Sequence, residues 1–269
     1  MTREQSLESD EGRETNERAD SPSYSSTTAA RRRSVAAVVG GLVGSFALVA
    51  VGSYWSAQAN GRFLVGVGAM LAVEVLIVRR AIEVTHRRAG PQRLTLATVV
   101  TIHRGVALAL LAGVLALEHP TGTLVWAPGV LFALAASLDA VDGAVARATD
   151  AVTELGGQLD VELDALTVLV GATAAVVAGS APTAFLAVGL ARYSFVVGTW
   201  LRRRRGLPVA PLPPSQGRRL LGAAAMVAIC LALLPVPGSR LSWYLTTAVM
   251  IPFLLHFGRD WLAVSRCPN

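Results

Sequence analysis

Apolar residues in this chain gather into runs of about twenty, the length a helix needs to cross a bilayer. Arginine, glycine and proline clusters close each run. Eight such runs predict eight spanning helices. The first covers residues 34–55, and a short turn at 56–60 leads to a second at 63–78, which ends in Arg79 and Arg80. A third covers 94–117. The fourth begins at 123 and the fifth ends at 179, and between them lies a polar-studded stretch, 137–170. The sixth, seventh and eighth cover 182–200, 218–234 and 241–256, with a stiff proline-rich loop at 206–217 and a short amphipathic tail carrying Arg259 and Arg266. Ahead of the first run, residues 1–33 are polar and acidic and read as a disordered tail rather than a cleaved signal.

Composition agrees with that pattern. Of 269 residues 53% are hydrophobic and only 16% charged, far from an average soluble domain. The net charge of +6 comes from arginine alone, because the chain has no lysine. Arginines beside apolar runs point to anionic lipid as their partner, not nucleic acid. Residues Arg31, Arg79, Arg87, Arg147, Arg202, Arg218 and Arg259 and their arginine neighbours fall on one side of an eight-span topology, and only Arg62 and Arg240 on the other. The positive-inside rule then places both termini and the polar stretch at the cytoplasmic face of the cell membrane. Cys230 and Cys267 suggest neither a disulfide nor a metal framework.

The chemistry lies in 137–170. On a helix, Asp139, Asp142, Gly143, Ala146 and Arg147 share one face, and so do Gly156, Asp160 and Asp164 on the next. The outer aspartates, Asp139 and Asp164, each lie roughly 23 Å from the far end of their apolar run, which puts them at one depth, about a helical turn inside the near edge. Carboxylates meeting there repel one another unless cations join them. Oxygen-only ligation favours Mg²⁺ or Mn²⁺ over Zn²⁺, and a pair of such ions suits phosphoryl transfer. Arg147 is placed to fork onto phosphate oxygens, and the small residues leave room for a bulky polar ligand. Arg104, with Thr101 one turn earlier, lies too deep to stand unpaired, and the carboxylates are its expected partner. Arg192 also lies too deep for a surface anchor and is expected to pair inside the bundle. Glu74 is expected to snorkel or to pack between helices, and His103 to pack.

The run Asp139-x2-Asp142-Gly143-x2-Ala146-Arg147-x8-Gly156-x3-Asp160-x3-Asp164 resembles the signature of the CDP-alcohol phosphatidyltransferase family at each fixed position. The resemblance implies an all-α polytopic membrane protein with a six-helix catalytic core at 94–269. Ahead of the core it leaves a transmembrane hairpin with its basic linker (34–93) and the cytoplasmic tail (1–33). It implies transfer of a phosphatidyl-type group, or its ether-lipid equivalent, from a CDP-linked lipid to a small polar alcohol, with release of CMP. Asp139, Asp142 and Asp160 look like ligands of one ion, and Asp139, Asp160 and Asp164 like those of a second. Asp164 resembles the general base, while Asp139, Gly143, Ala146, Arg147 and Gly156 resemble the nucleotide and diphosphate pocket, with Thr101 beside it. Thr101-x2-Arg104 resembles members that use phosphorylated acceptors such as glycerol-phosphate or inositol-phosphate, although Ala97-Thr98 stands where those members commonly have Pro-Asn. Arg104, Arg192, Arg202, Arg205 and Arg218 are the candidate acceptor-phosphate residues, and a homodimer is the family expectation. Serine as acceptor, CDP-lipid hydrolysis and cation transport are the competing readings.

Overall fold

The computed structural model describes residues 61–89, 96–117, 122–148, 153–212 and 215–265. The tail at 1–33, the first expected span at 34–55 and the tip of the motif hairpin at 149–152 lie outside the described residues. Within them the chain is helical throughout: α1 Gly61–Ala89, α2 Leu96–Leu115, α3 Ala127–Ala148, α4 Glu154–Val177, α5 Leu186–Arg204, α6 Gln216–Leu233 and α7 Ser239–Ser265. Short 3₁₀ turns at Gly122–Trp126 and Thr183–Phe185 lead into α3 and α5. The segments Gly61–Arg88, Gly122–Asp139, Thr183–Arg204, Gln216–Leu233 and Ser239–Ser265 are each long and apolar enough to cross a membrane. Helix α2 is 20 residues long and mostly apolar, and the apolar length of α4 is interrupted by Asp160, Glu162 and Asp164.

Helix α4 is the axis of the bundle and packs against α1, α2, α3, α5 and α6. Its Leu155, Leu159, Leu163 and Leu166 join Val67, Leu71, Val78, Leu108 and Ala135 in one core cluster. Further along, Ala172 and Ala175 join Phe132, Phe185, Val188 and Ile229 in a second. The outer surface is apolar as well, with Leu76, Val130, Val177, Val227, Ile251 and Leu255 exposed, as expected of side chains facing lipid. Several hydroxyls on the helices bond back to carbonyls one turn earlier, as Thr167 does to Leu163 and Thr247 to Trp243, which satisfies those donors within the helix.

Three helices run longer than the apolar runs alone suggest. Helix α1 continues past Arg79 to Ala89, because the first breakers are Gly90 and Pro91. Its last turn carries His86, Arg87 and Arg88, the charge sign that favours a helix C-terminus. Helix α5 extends through the arginine run to Arg204. Helix α7 passes through Pro252 and beyond His256 to Ser265, so the expected end at 256 and the separate tail are replaced by one helix.

Helix α1 docks on α2 through a crossing of small residues. A Cβ on Gly66 would stand 2.7 Å from the Ala112 carbonyl oxygen and 3.0 Å from the Gly113 Cα. One on Gly113 would stand 2.6 Å from Val67 Cγ2. Backbones this close are the usual glue of membrane helices, where no hydrophobic effect pulls helices together. Gly66→Leu is therefore expected to push α1 off α2 and cost about 1–3 kcal/mol. A fall of several degrees in the thermal unfolding midpoint in detergent would show it, and an unchanged midpoint would refute the contact.

Candidate active site

Asp139 on α3 and Asp160 and Asp164 on α4 bring three carboxylates to one place, with one oxygen from each lying within 4.8 Å of the others. The helix that carries two of them starts cleanly. Thr153 caps α4 by accepting a hydrogen bond from the Gly156 N–H at 3.0 Å, which fixes where its acidic face begins. Asp160 and Asp164 then fall one turn apart on the face turned toward α3.

Arg104 of α2 closes the group from beneath. Its Nη1 donates to Asp139 Oδ1, its Nη2 donates to Asp164 Oδ1 at 2.7 Å, and Nη1 lies 3.6 Å from Asp160 Oδ1. This is the partner its depth in the helix calls for. The arginine side chain is 1% exposed, whereas Asp139, Asp160 and Asp164 are 27%, 49% and 42% exposed. The cation is sealed inside, and the carboxylates form a rim open on one side. Three negative charges against one positive leave a surplus that attracts further cations to that opening.

Asp142, Gly143, Ala146 and Arg147 continue α3, and Thr101 lies one turn before Arg104 on α2. The side chains of these five residues and of His103 lie outside the described residues. Gly156 is described: a Cβ there would meet only the Thr153 hydroxyl, at 3.0 Å, and open space otherwise.

The candidate acceptor arginines separate into two sets. Arg192 of α5 pairs with Glu162 of the neighbouring α4 at 3.1 Å, with the two side chains 39% and 34% exposed, so it has a partner on another helix but not a buried one. Arg218, at the start of α6, lies 3.5 Å from Asp260 of α7. Both arginines line one cavity of about 300 Å³ walled by Phe195, Phe253 and Phe257. His256 Nε2 lies 3.3 Å from the Ser215 hydroxyl and 3.8 Å from Asp260, and it faces the same cavity. Arg202 is used elsewhere: its Nη2 donates to the carbonyls of Pro208 and Ser265, at 3.1 and 2.9 Å, tying the proline-rich loop to the end of α7. Arg204 stacks over Trp200 at 4.2 Å, and Arg205 is an exposed residue at the C-terminus of α5.

Four residues near these sites were not singled out in the sequence: Glu162, Ser215, His256 and Asp260. The i, i+4 spacing of His256 and Asp260 was the available signal, hidden by reading the chain after 256 as a tail. Of the two expectations for Glu74, packing between helices holds, against Gly105 of α2. It does not snorkel but is 1% exposed, with neither carboxylate oxygen hydrogen-bonded among the described residues.

Comparisons with curated proteins and with solved structures return no match. A protein-family model described as CDP-alcohol phosphatidyltransferase matches residues 94–256, from just before α2 into α7. That match takes in the three-carboxylate group, Arg104 and most of the arginine-lined cavity, and leaves α1 and the cavity's Phe257 and Asp260 outside. Covering more than half of the 269 residues, it shows that the chain belongs to the CDP-alcohol phosphatidyltransferase family, membrane enzymes of phospholipid synthesis that transfer a phosphatidyl group from a CDP-alcohol.

Proposed function

We propose that this protein transfers a phosphatidyl-type group from a CDP-linked lipid to a phosphorylated alcohol, such as glycerol-phosphate or inositol-phosphate, and releases CMP. The observation that carries this reading is the open rim of Asp139, Asp160 and Asp164 over buried Arg104, within the family match. The donor set fits Mg²⁺ or Mn²⁺: it is all oxygen, it carries surplus negative charge, and it opens to one side. Asp139, Asp142, Asp160 and Asp164 would hold two such ions, which when bound neutralise diphosphate oxygens and stabilise the departing CMP.

The chain's own groups supply the rest. The acceptor hydroxyl oxygen bonds to the lipid-bearing phosphorus, the phosphoanhydride bond to CMP breaks, and the hydroxyl proton passes to the Asp164 carboxylate. Asp139, Gly143, Ala146, Arg147 and Gly156, with Thr101, surround the nucleotide and its phosphates. Arg192 and Arg218, in one cavity, receive the acceptor phosphate, with the aromatic walls excluding water. Arg202 and Arg205 are left to loop anchoring and to the arginine-rich cytoplasmic surface. Eight spans, a six-helix core at 94–269 after an added hairpin, a site and termini facing the cytoplasm, and a homodimer complete the proposal.

The test is a reconstituted assay with a CDP-lipid and a panel of glycerol-phosphate, inositol-phosphate, serine, glycerol and inositol, read by product mass. CMP release is expected to need Mg²⁺ or Mn²⁺ and to rise with a phosphorylated alcohol. Equal release with no alcohol would make the protein a hydrolase, and a serine product would remove the acceptor-phosphate reading. Arg218→Ala is expected to raise KM for the phosphorylated alcohol about tenfold or more, with a smaller change in kcat, as expected when an interaction made equally in ground and transition states is lost.

A further inference from the structure

Helix α1 lies outside the family match, and it packs against α2 and α4 with no comparable contact to α5. The gap left over α4 is a cavity of about 560 Å³, lined by Ile77 and Arg80 of α1, Gln158 and Glu162 of α4, and Val197 and Trp200 of α5. Gln158 and Glu162 lie one turn apart, roughly opposite Asp160 and Asp164 around the helix. The cavity is therefore behind α4 from the carboxylate rim and is not part of the reacting centre. It stands toward the arginine-rich ends of two helices: α1 continues from Arg80 to His86, Arg87 and Arg88, and α5 from Trp200 to Arg202, Arg203 and Arg204.

Arg80 and Arg192 against Glu162 leave the cavity with surplus positive charge. Arg192 is already paired with Glu162 at 3.1 Å. Arg80 is exposed and has no ion pair or hydrogen bond among the described residues, so its guanidinium can fork onto phosphate oxygens. Trp200 is half exposed in the same cavity, and indole rings settle at the head-group level of a bilayer. Val196 and Val197 line the cavity and are exposed on its outer side, which gives acyl chains an apolar path out of it. A soluble anion would use Arg80 but not that apolar wall, and a second copy of the chain would bring the same arginines against these. The surplus charge also repels the choline of a zwitterionic lipid. We propose that the cavity between α1, α4 and α5 binds one anionic phospholipid, with its phosphate on Arg80 and its chains along Ile77, Val196 and Val197. The lipid then fills the gap between the added helix and the family core. This site goes beyond the transfer reading and does not depend on it.

The test is native mass spectrometry of the full chain in detergent, titrated with phosphatidylglycerol or phosphatidylcholine. Phosphatidylglycerol is expected to bind about tenfold more tightly, the scale of one hydrogen-bonded charged contact. Arg80→Gln is expected to remove that preference. Arg79→Gln, at the exposed neighbour outside the cavity, is expected to stay close to wild type. Equal loss in both variants would mean general attraction to an arginine-rich surface, and the proposal would fall. Equal binding of the two lipids, or displacement of the lipid by inorganic phosphate alone, would also overturn it. A dimer that carries no phosphatidylglycerol would give the cavity to a second copy of the chain instead. The position of the lipid is read from Trp200: phosphatidylglycerol brominated on its chains is expected to quench the tryptophan fluorescence of wild type more than that of Trp200→Phe. Equal quenching in the two would place the lipid elsewhere and remove the site.

Discussion

Asp160→Asn is expected to lower CMP release about a thousandfold or more, the ~4 kcal/mol scale on which charge stabilisation around a transferring phosphoryl group operates. Asp160 gives the cleanest test of the site because it is least committed to the fold. Its carboxylate is 49% exposed and 3.6 Å from Arg104, whereas Asp139 and Asp164 both hydrogen-bond the guanidinium. Asparagine keeps the volume and one oxygen but removes the charge. The thermal unfolding midpoint is therefore expected to move by no more than a few degrees while activity disappears. Glu162→Gln is the control: that carboxylate pairs with Arg192 from the other side of α4 and is expected to retain activity within about tenfold, since its exposed pairing contributes little. Retained CMP release in Asp160→Asn would remove the carboxylate rim as the reacting centre.

The rim was legible in the sequence because two kinds of information coincide there. The one-face spacing of Asp139 with Asp142, and of Asp160 with Asp164, says which side of each helix is acidic. The matched apolar lengths on either side say at what depth the two sides meet. Arg104 was legible for the same reason: a guanidinium that deep must find anions, and the nearest anions are these. For Arg192 the need for a partner on another helix was legible but its identity was not. Glu162 lies about 200° around α4 from the aspartate stripe, where nothing in the sequence ties it to α5. Asp260 and His256 were hidden by the expectation that the last span ends at 256 and a separate tail follows, whereas one helix continues to Ser265. The burial of Glu74 follows from the close approach of α1 to Gly105, a contact between segments far apart in sequence with no periodic signature.

Arg104→Met is expected to destabilise the metal-free protein and to make its stability depend more strongly on Mn²⁺ than that of wild type. Without metal, the variant leaves three carboxylates facing one another with their shared cation gone. Removing one partner of a buried charge group costs about 3–5 kcal/mol, and the partial exposure of these aspartates favours the lower end. With Mn²⁺ at about a hundred times its dissociation constant, binding restores about 2.7 kcal/mol, nearly the whole of that loss. Wild type gains less from the same Mn²⁺, because there the guanidinium already neutralises part of the charge that draws the ion. The measurement is thermal unfolding in detergent across a Mn²⁺ series. The Mn²⁺-dependent rise in midpoint is expected to be larger in Arg104→Met than in wild type, with the curves converging at high metal. Parallel curves would show that the guanidinium does not weaken the attraction of the rim for the ion. A metal-free variant as stable as wild type would show that the guanidinium does not hold the rim together.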